Sequence, residues 1–196
     1  MDDRDEWFLE PDPAGLGRTN EYSDPGEKVA HMESLVAKGS RLSMINLAHF
    51  YEWRGTNGDE RCFDLAEEWG LAATKAGSAV GAHWLGCFYV RRKRYEDARR
   101  AFMIGEERDY APSMIRLADY YIKGIGVDRD YSRVQDLLRT ASRSGNLWAK
   151  RALARTYMNI GPGALTRVRG IFLCCLYDVH FYFLKKISPR SVRLKR

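Results

Sequence analysis

The sequence predicts an all-α fold, an α-α solenoid of about four helix-turn-helix units, and three observations carry that expectation. A five-residue signature, Leu-Ala/Gly-x-x-Tyr, recurs at Leu47 to Tyr51, Leu85 to Tyr89, Leu117 to Tyr121 and Leu153 to Tyr157, its leucines 38, 32 and 36 residues apart. Eight residues ahead of each leucine the chain reads Gly39-Ser40, Gly77-Ser78, Asp109-Tyr110 and Gly145-Asn146. Three of those four are glycines suited to stopping a helix in the left-handed conformation. Before these stops lie apolar-periodic stretches such as Leu65-x-x-x-Trp69-x-x-Ala72-Ala73 and Val134-x-x-Leu137-Leu138-x-x-Ala141, which read as amphipathic helices.

Each unit is therefore a helix A carrying the signature, a loop, a helix B and a stop. Leu and Tyr four residues apart stack on one helix face, and the small residue after Leu admits a neighbouring helix. A lone helix B opens the series over about 25–38, beginning at Pro25 and ending at Lys38-Gly39. The A helices are expected over about 42–53, 79–92, 112–123 and 147–159, and the B helices over about 60–76, 95–108, 131–144 and 165–186. The loops differ. The first carries Gly55-Thr56-Asn57-Gly58-Asp59, the second the run Arg91-Arg92-Lys93-Arg94, the third Gly124-Ile125-Gly126-Val127, and the fourth Gly161-Pro162-Gly163. In the third, the glycines end helix A, Val127 is placed to plug the gap between helices, and Asp130 to cap helix B.

Leu-Ala-x-x-Tyr, Gly124-x-Gly126-Val127, Asp130-Tyr131, Trp69 and the turn glycines together resemble the SEL-one-like repeat (SLR) family, relatives of the tetratricopeptide repeats. The resemblance covers roughly residues 25 to 170 and implies a right-handed α-α superhelix. The second unit lacks Gly-x-Gly and looks more like a plain tetratricopeptide hairpin. The resemblance also implies a function: assembly of protein complexes, including bacterial signalling and cell-envelope or exopolysaccharide regulation. That implication is analogy at the level of the fold.

With 196 residues and 45% hydrophobic content the chain can build one repeat domain. Its net charge of +6 is unevenly spread: residues 1–24 hold eight acids against Arg4 and Arg18, whereas 147–196 hold eleven Lys/Arg against Asp178. Ends of opposite sign can attract one another or present two separate surfaces. Residues 1–24 are acidic, contain proline and glycine and lack periodicity, and so read as a disordered tail. Within it Trp7-Phe8-Leu9 forms either a short docking patch or a cluster folded on the first helix. The start has no basic stretch followed by an apolar one, so no signal peptide is expected and the location expected is cytoplasmic. The domain reading is thus 1–24 tail, 25–170 repeats and 171–196 apolar and basic cap. Cys62, Cys87, Cys174 and Cys175 do not occupy the paired positions that cysteine-rich members of the resembling family use for disulfides. Their spacing does not suit zinc, and Cys174-Cys175 read as apolar fillers.

No catalytic constellation stands out, and neither a cofactor nor a metal is expected. Gly124-x-Gly126 lies between helices without the strand that a phosphate loop needs. His31, His49, His83 and His180 are scattered. The expected function is a non-enzymatic adaptor or scaffold that binds a protein or peptide in the concave wall of A helices. Positions −5, −2, +2, +5 and +6 from each signature leucine face that wall. They single out His49, Glu52 and Trp53, then His83 and Arg91, then Asp119 and Lys123, then Trp148, Arg151 and Arg155 as binding residues. The repeat core is Leu47, Tyr51, Leu85, Tyr89, Leu117, Tyr121, Leu153 and Tyr157. The wall would be apolar-aromatic at one end and basic at the other, suited to an acidic, partly apolar segment. Ile45, Ile115 and Ile122 on the same faces read better as packing between repeats. The run Arg91-Arg92-Lys93-Arg94 with Arg99-Arg100 raises nucleic acid as a partner, but Glu96, Asp97, Glu106 and Glu107 in the same unit favour a solvated hairpin tip.

Residues 171–184 are too apolar for an ordinary exposed cap and too short to span a bilayer. Phe172, Leu176, Phe181 and Phe183, with Lys185 and Lys186, form a patch for a partner, a second copy or a membrane surface. A strand over 179–183 is a further reading. A peripheral membrane protein localised by this segment is the alternative function, and a hydrolase the remote one.

Overall fold

Left-handed residues end the helices at the stops. Gly39, Gly77 and Gly145 have φ of 92°, 94° and 83°, which costs a residue without Cβ no steric energy. The two turns lacking glycine adopt the same conformation at Lys93 (φ 61°) and Asp109 (φ 55°). Caps start the helices that follow. Ser40 Oγ accepts from the Ser43 amide at 3.0 Å, Ser78 Oγ from Gly81 at 2.7 Å, Asp130 from Arg133 at 3.0 Å and Asn146 from Ala149 at 3.0 Å.

The computed structural model describes residues 3–160 and 163–187, with side chains except at 3–5, 181, 184, 185 and 187. Its elements are all helical. They run α1 (Asp3–Phe8), α2 (Pro13–Arg18), α3 (Pro25–Ala37), α4 (Arg41–Thr56), α5 (Cys62–Lys75), α6 (Ala79–Arg91), α7 (Tyr95–Glu107), α8 (Ala111–Lys123), α9 (Tyr131–Arg143), α10 (Leu147–Ile160) and α11 (Ala164–Ile187). The helices from α3 onward agree with the expected segments to within a few residues. The strand considered over 179–183 is helix instead.

Residues 1–110 and 111–196 form two compact units. In the first, α3 to α7 pack in chain order and α4 also touches α6; in the second, α8 to α11 do the same and α8 touches α10. Within each unit the helices from α3 onward thus pack on their sequence neighbours, with the signature helices α4 and α6, and α8 and α10, in contact, which is the order of an α-α solenoid. Leu47, Leu85 and Leu117 are fully buried, and each such leucine contributes about 1.5–3 kcal/mol. The small residues after them, Ala48, Gly86 and Ala118, are buried too. At Gly86 a Cβ would overlap the Phe102 ring of α7, so the A–B contact of that hairpin requires glycine.

Tyr89 is buried and donates to Glu67 at 2.8 Å. Tyr51, Tyr121, Leu153 and Tyr157 are only half-buried. In the third unit it is Tyr120 that is buried.

Two expectations are corrected. The N-terminal segment is not structureless: α1 and α2 form in it, and it is tied into the first unit. Asp12 caps α2 through the Gly15 amide at 2.7 Å and pairs with Lys38 at 2.9 Å. Leu16 is buried, and His31 Nε2 lies 2.9 Å from the Gly15 carbonyl oxygen. Trp7, Phe8 and Leu9 are exposed. The boundary expected at 170/171 falls inside α11, which is continuous from Ala164. Gly161-Pro162 and residues 188–196 lie outside the described residues.

Candidate functional site

In the first unit the wall positions of α4 and α6 are held by side-chain contacts. Glu52 accepts two hydrogen bonds from Arg91, at 2.6 and 2.8 Å, tying α4 to α6. Trp84 Nε1 donates to His49 Nδ1 at 3.0 Å, and the two rings meet edge to face. The surrounding side chains desolvate His49 and hold its pKa below the ordinary value of 6.5, against the opposing pull of Glu52. His83 packs against Phe102 and Tyr110, with Nε2 3.6 Å from Cys87 Sγ. Ile45 is buried, as the packing reading expected.

A cleft of about 550 Å³ opens beside this wall. The α2–α3 segment supplies Leu16, Thr19, Tyr22 and Lys28, and α4 supplies Asn46, His49, Phe50 and Trp53. Trp53 is 62% exposed, and Thr19, only 4% exposed, has a hydroxyl without a hydrogen-bond partner. A polar atom that is buried and unsatisfied costs about 1–3 kcal/mol. His49 and Trp53 were marked by position from the signature leucine. Thr19 and Tyr22 were not, because they lie in the segment expected to be disordered, and Lys28 was not, because the lone helix over 25–38 carries no signature leucine to count from. The one signal for them was Asp24-Pro25, a cap followed by an N1 proline; Asp24 Oδ2 accepts from the Glu27 amide at 2.8 Å.

Glu6 is a second residue that the sequence did not disclose. It is 2% exposed and lies at the start of α6, where it accepts from Ser78 Oγ at 2.6 Å and from the Val80 amide at 3.1 Å. A carboxylate at a helix N-terminus is favoured by the unpaired amides and the helix dipole. Its partners lie more than seventy residues away, beyond the reach of any local pattern.

The second unit holds a smaller cleft, about 230 Å³, lined by Ile115, Asp119, Ile122, Leu138, Arg155 and Asn159 among others. Ile115 and Ile122 therefore face a cleft as well as packing. Arg155 shares it with the carboxyl of Asp119, so the wall there is not uniformly basic. Arg151 is drawn away to Asp178 of α11, at 2.5 Å. Trp148 is half-buried and Lys123 exposed.

The basic run at the second hairpin is covered by acids and rings. Arg94 bonds Glu67 at 2.6 Å and Asp97 at 2.8 Å, Arg99 bonds Glu96 at 2.6 Å, and the Arg92 and Arg94 guanidiniums lie 4.1 and 4.4 Å from the Phe63 and Tyr89 ring centres. With its charge matched in this way, the run favours the solvated hairpin tip over a phosphate-binding patch.

All four cysteines are free. Burial and the neighbouring Asp59 raise the Cys62 thiol pKa, so it is an inert, protonated filler. Among the described residues no cluster of His, Cys, Asp or Glu is arranged to hold a metal. On α11, Phe172, Leu176 and Phe183 are exposed, as is Lys186; the side chains of Phe181 and Lys185 lie outside the described residues.

No protein-family model and no curated protein matches the chain. Solved structures do. A Sel1 repeat protein from Oxalobacter formigenes superposes with a TM-score of 0.65 at 18% identity, covering 83% of this chain and 70% of that one. A protective antigen present in uropathogenic Escherichia coli strains, displaying an SLR fold, superposes with a TM-score of 0.61 at 14% identity, covering 92% of this chain. The present chain spans 48% of that antigen's length. These likenesses identify the fold of the chain as that of the Sel1-like repeat proteins.

Proposed function

We propose that this chain is a non-enzymatic adaptor whose first unit binds an acidic, partly apolar protein segment in the cleft between the α2–α3 segment and α4. The observation that carries the reading is the exposed Trp53 beside Phe50 at the mouth of a cleft of about 550 Å³. An exposed tryptophan beside a cleft that mixes aromatic and polar side chains has the composition of a binding hot spot with a polar rim. Lys28 supplies positive charge from α3 and His49 a ring N–H from α4, Tyr22 and Phe50 apolar walls, and Asn46 polar atoms for a peptide backbone. The paired Arg91–Glu52 and Arg151–Asp178 lie outside this set, their charges already engaged.

The test is selection of a random peptide library on the intact protein, followed by titration of the enriched peptides. Enriched sequences should combine an acidic residue with an aromatic or aliphatic one. Trp53→Ala should weaken them by about thirtyfold, since truncating a hot-spot tryptophan costs about 2 kcal/mol. Lys28→Glu should weaken them further while leaving the fold intact. Enriched peptides that ignore both substitutions would place the binding surface elsewhere.

A further inference from the structure

The last helix has two apolar faces, and a single neighbour covers only one. Thr166, Gly170, Leu173, Cys174 and Tyr177 recur at helical spacing and turn toward α10; a Cβ at Gly170 would overlap the backbone at Tyr157 and Met158, so the two helices touch main chain to main chain there. On the opposite side Leu165, Val168, Phe172, Leu176, Val179 and Phe183 follow one another three or four residues apart, all more than half exposed. That stripe runs the length of the helix, roughly 27 Å at 1.5 Å per residue. An exposed apolar stripe of this extent marks a surface that is covered in use.

The charges around the stripe say what covers it. Arg167 and Arg169 are exposed at its start and Lys186 at its end. The sequence beyond adds Arg190, Arg193, Lys195 and Arg196. The only acid in residues 147–196 is Asp178, and Arg151 neutralises it. A second copy of α11 laid against the stripe would bring cations against cations in either orientation, since both ends are basic. A surface of anionic phospholipid head groups complements both ends at once while its acyl region receives the apolar side chains. Among the described residues no helix is long and apolar enough to cross a membrane, so the helix would lie in the interface.

We propose that α11 is a lipid-docking helix: its outward stripe enters the interface of an anionic membrane, its terminal Arg and Lys residues contact the phosphates, and its other face holds the repeats through α10. This inference does not depend on the peptide reading of the first unit.

Co-sedimentation of the full chain with phosphatidylcholine vesicles, with and without an anionic phospholipid, tests it. The protein should bind the anionic vesicles, fail to bind the neutral ones, and lose binding as salt is raised. Arg167→Ala/Arg169→Ala/Lys186→Ala should weaken binding by roughly a hundredfold, about fivefold for each charge. Phe172→Glu/Phe183→Glu should abolish it, and because both side chains point to solvent, the helical circular dichroism should be unchanged. Trp53→Ala should bind vesicles as the wild type does. Equal binding to neutral vesicles, or no response to the basic triple substitution, would overturn the proposal. So would absence of vesicle binding together with a dimer that Phe172→Glu/Phe183→Glu converts to monomer, which would make the occupant a second copy.

Discussion

His49 carries a proton-sensitive contact in the wall of the first unit. Its Nδ1 accepts the indole N–H of Trp84 at 3.0 Å, so the ring is neutral there, with its proton on Nε2. Desolvation pushes its pKa below 6.5, the Glu52 carboxylate opposes that, and the Arg91 guanidinium adds to it. The sign follows. With the folded pKa depressed, the unfolded chain binds more protons as the pH falls through 6.5, so the contribution of His49 to stability is present above that value and declines below it. Urea unfolding at about pH 7.5 and about pH 5.5 should show lower stability at the acid end. In His49→Gln, which keeps an acceptor but cannot titrate, that part of the slope should vanish; an unchanged slope would assign it to another group. Thr19 and Glu6 teach a different lesson at this scale. Neither signals a role by its own identity or spacing, although Asp24-Pro25 marks the helix start that follows Thr19; each acquires its role from a contact made only in the folded chain, Glu6 with Ser78 and Val80 and Thr19 with the cleft formed against α4.

At the scale of elements, the helices from α3 to α11 were legible because each is long enough to repeat its apolar spacing and every turn but the Arg91–Arg94 loop is signalled by glycine, Ser, Asp or Asn. Even the turns without glycine followed the period, with Lys93 and Asp109 taking the left-handed conformation. The short helices α1 and α2 were not legible. Six residues give too few turns for a period to show, and their composition alone suggested disorder. The two-faced character of α11 was hidden for a related reason: an apolar helix shows which side is buried only once its neighbour is known. The small residue of the signature provides a direct check on the hairpin packing. Gly86→Ala places a methyl group in overlap with the edge of the buried Phe102 ring, so the ring or the two helices must shift. Thermal or chemical unfolding should show a loss of about 1–3 kcal/mol, whereas Gly17→Ala, whose Cβ meets nothing, should cost little or add stability. Equal effects at the two positions would mean that the signature glycine is not a packing residue.

For the molecule as a whole, the uneven charge of the chain resolves into local uses. The acidic N-terminal segment spends two of its carboxylates inside the first unit, Glu6 at the start of α6 and Asp12 against Lys38. The basic C-terminal region loses Arg151 to Asp178 and keeps Arg167, Arg169 and Lys186 exposed around an apolar stripe. Among the cationic positions expected to bind, Arg91 and Arg151 are ion-paired to Glu52 and Asp178, and Arg155 lines its cleft together with Asp119. The proposed peptide site therefore centres on the cleft of the first unit, beside Trp53 and Phe50. Hydrogen–deuterium exchange of the full chain, with and without the tightest library-selected peptide, tests that claim most directly. Protection is expected in residues 19–32 and 46–53, the two sides of the cleft, with 164–187 unchanged. Protection confined to the 115–160 region or to 164–187, with the first cleft exchanging as in the free protein, would contradict it.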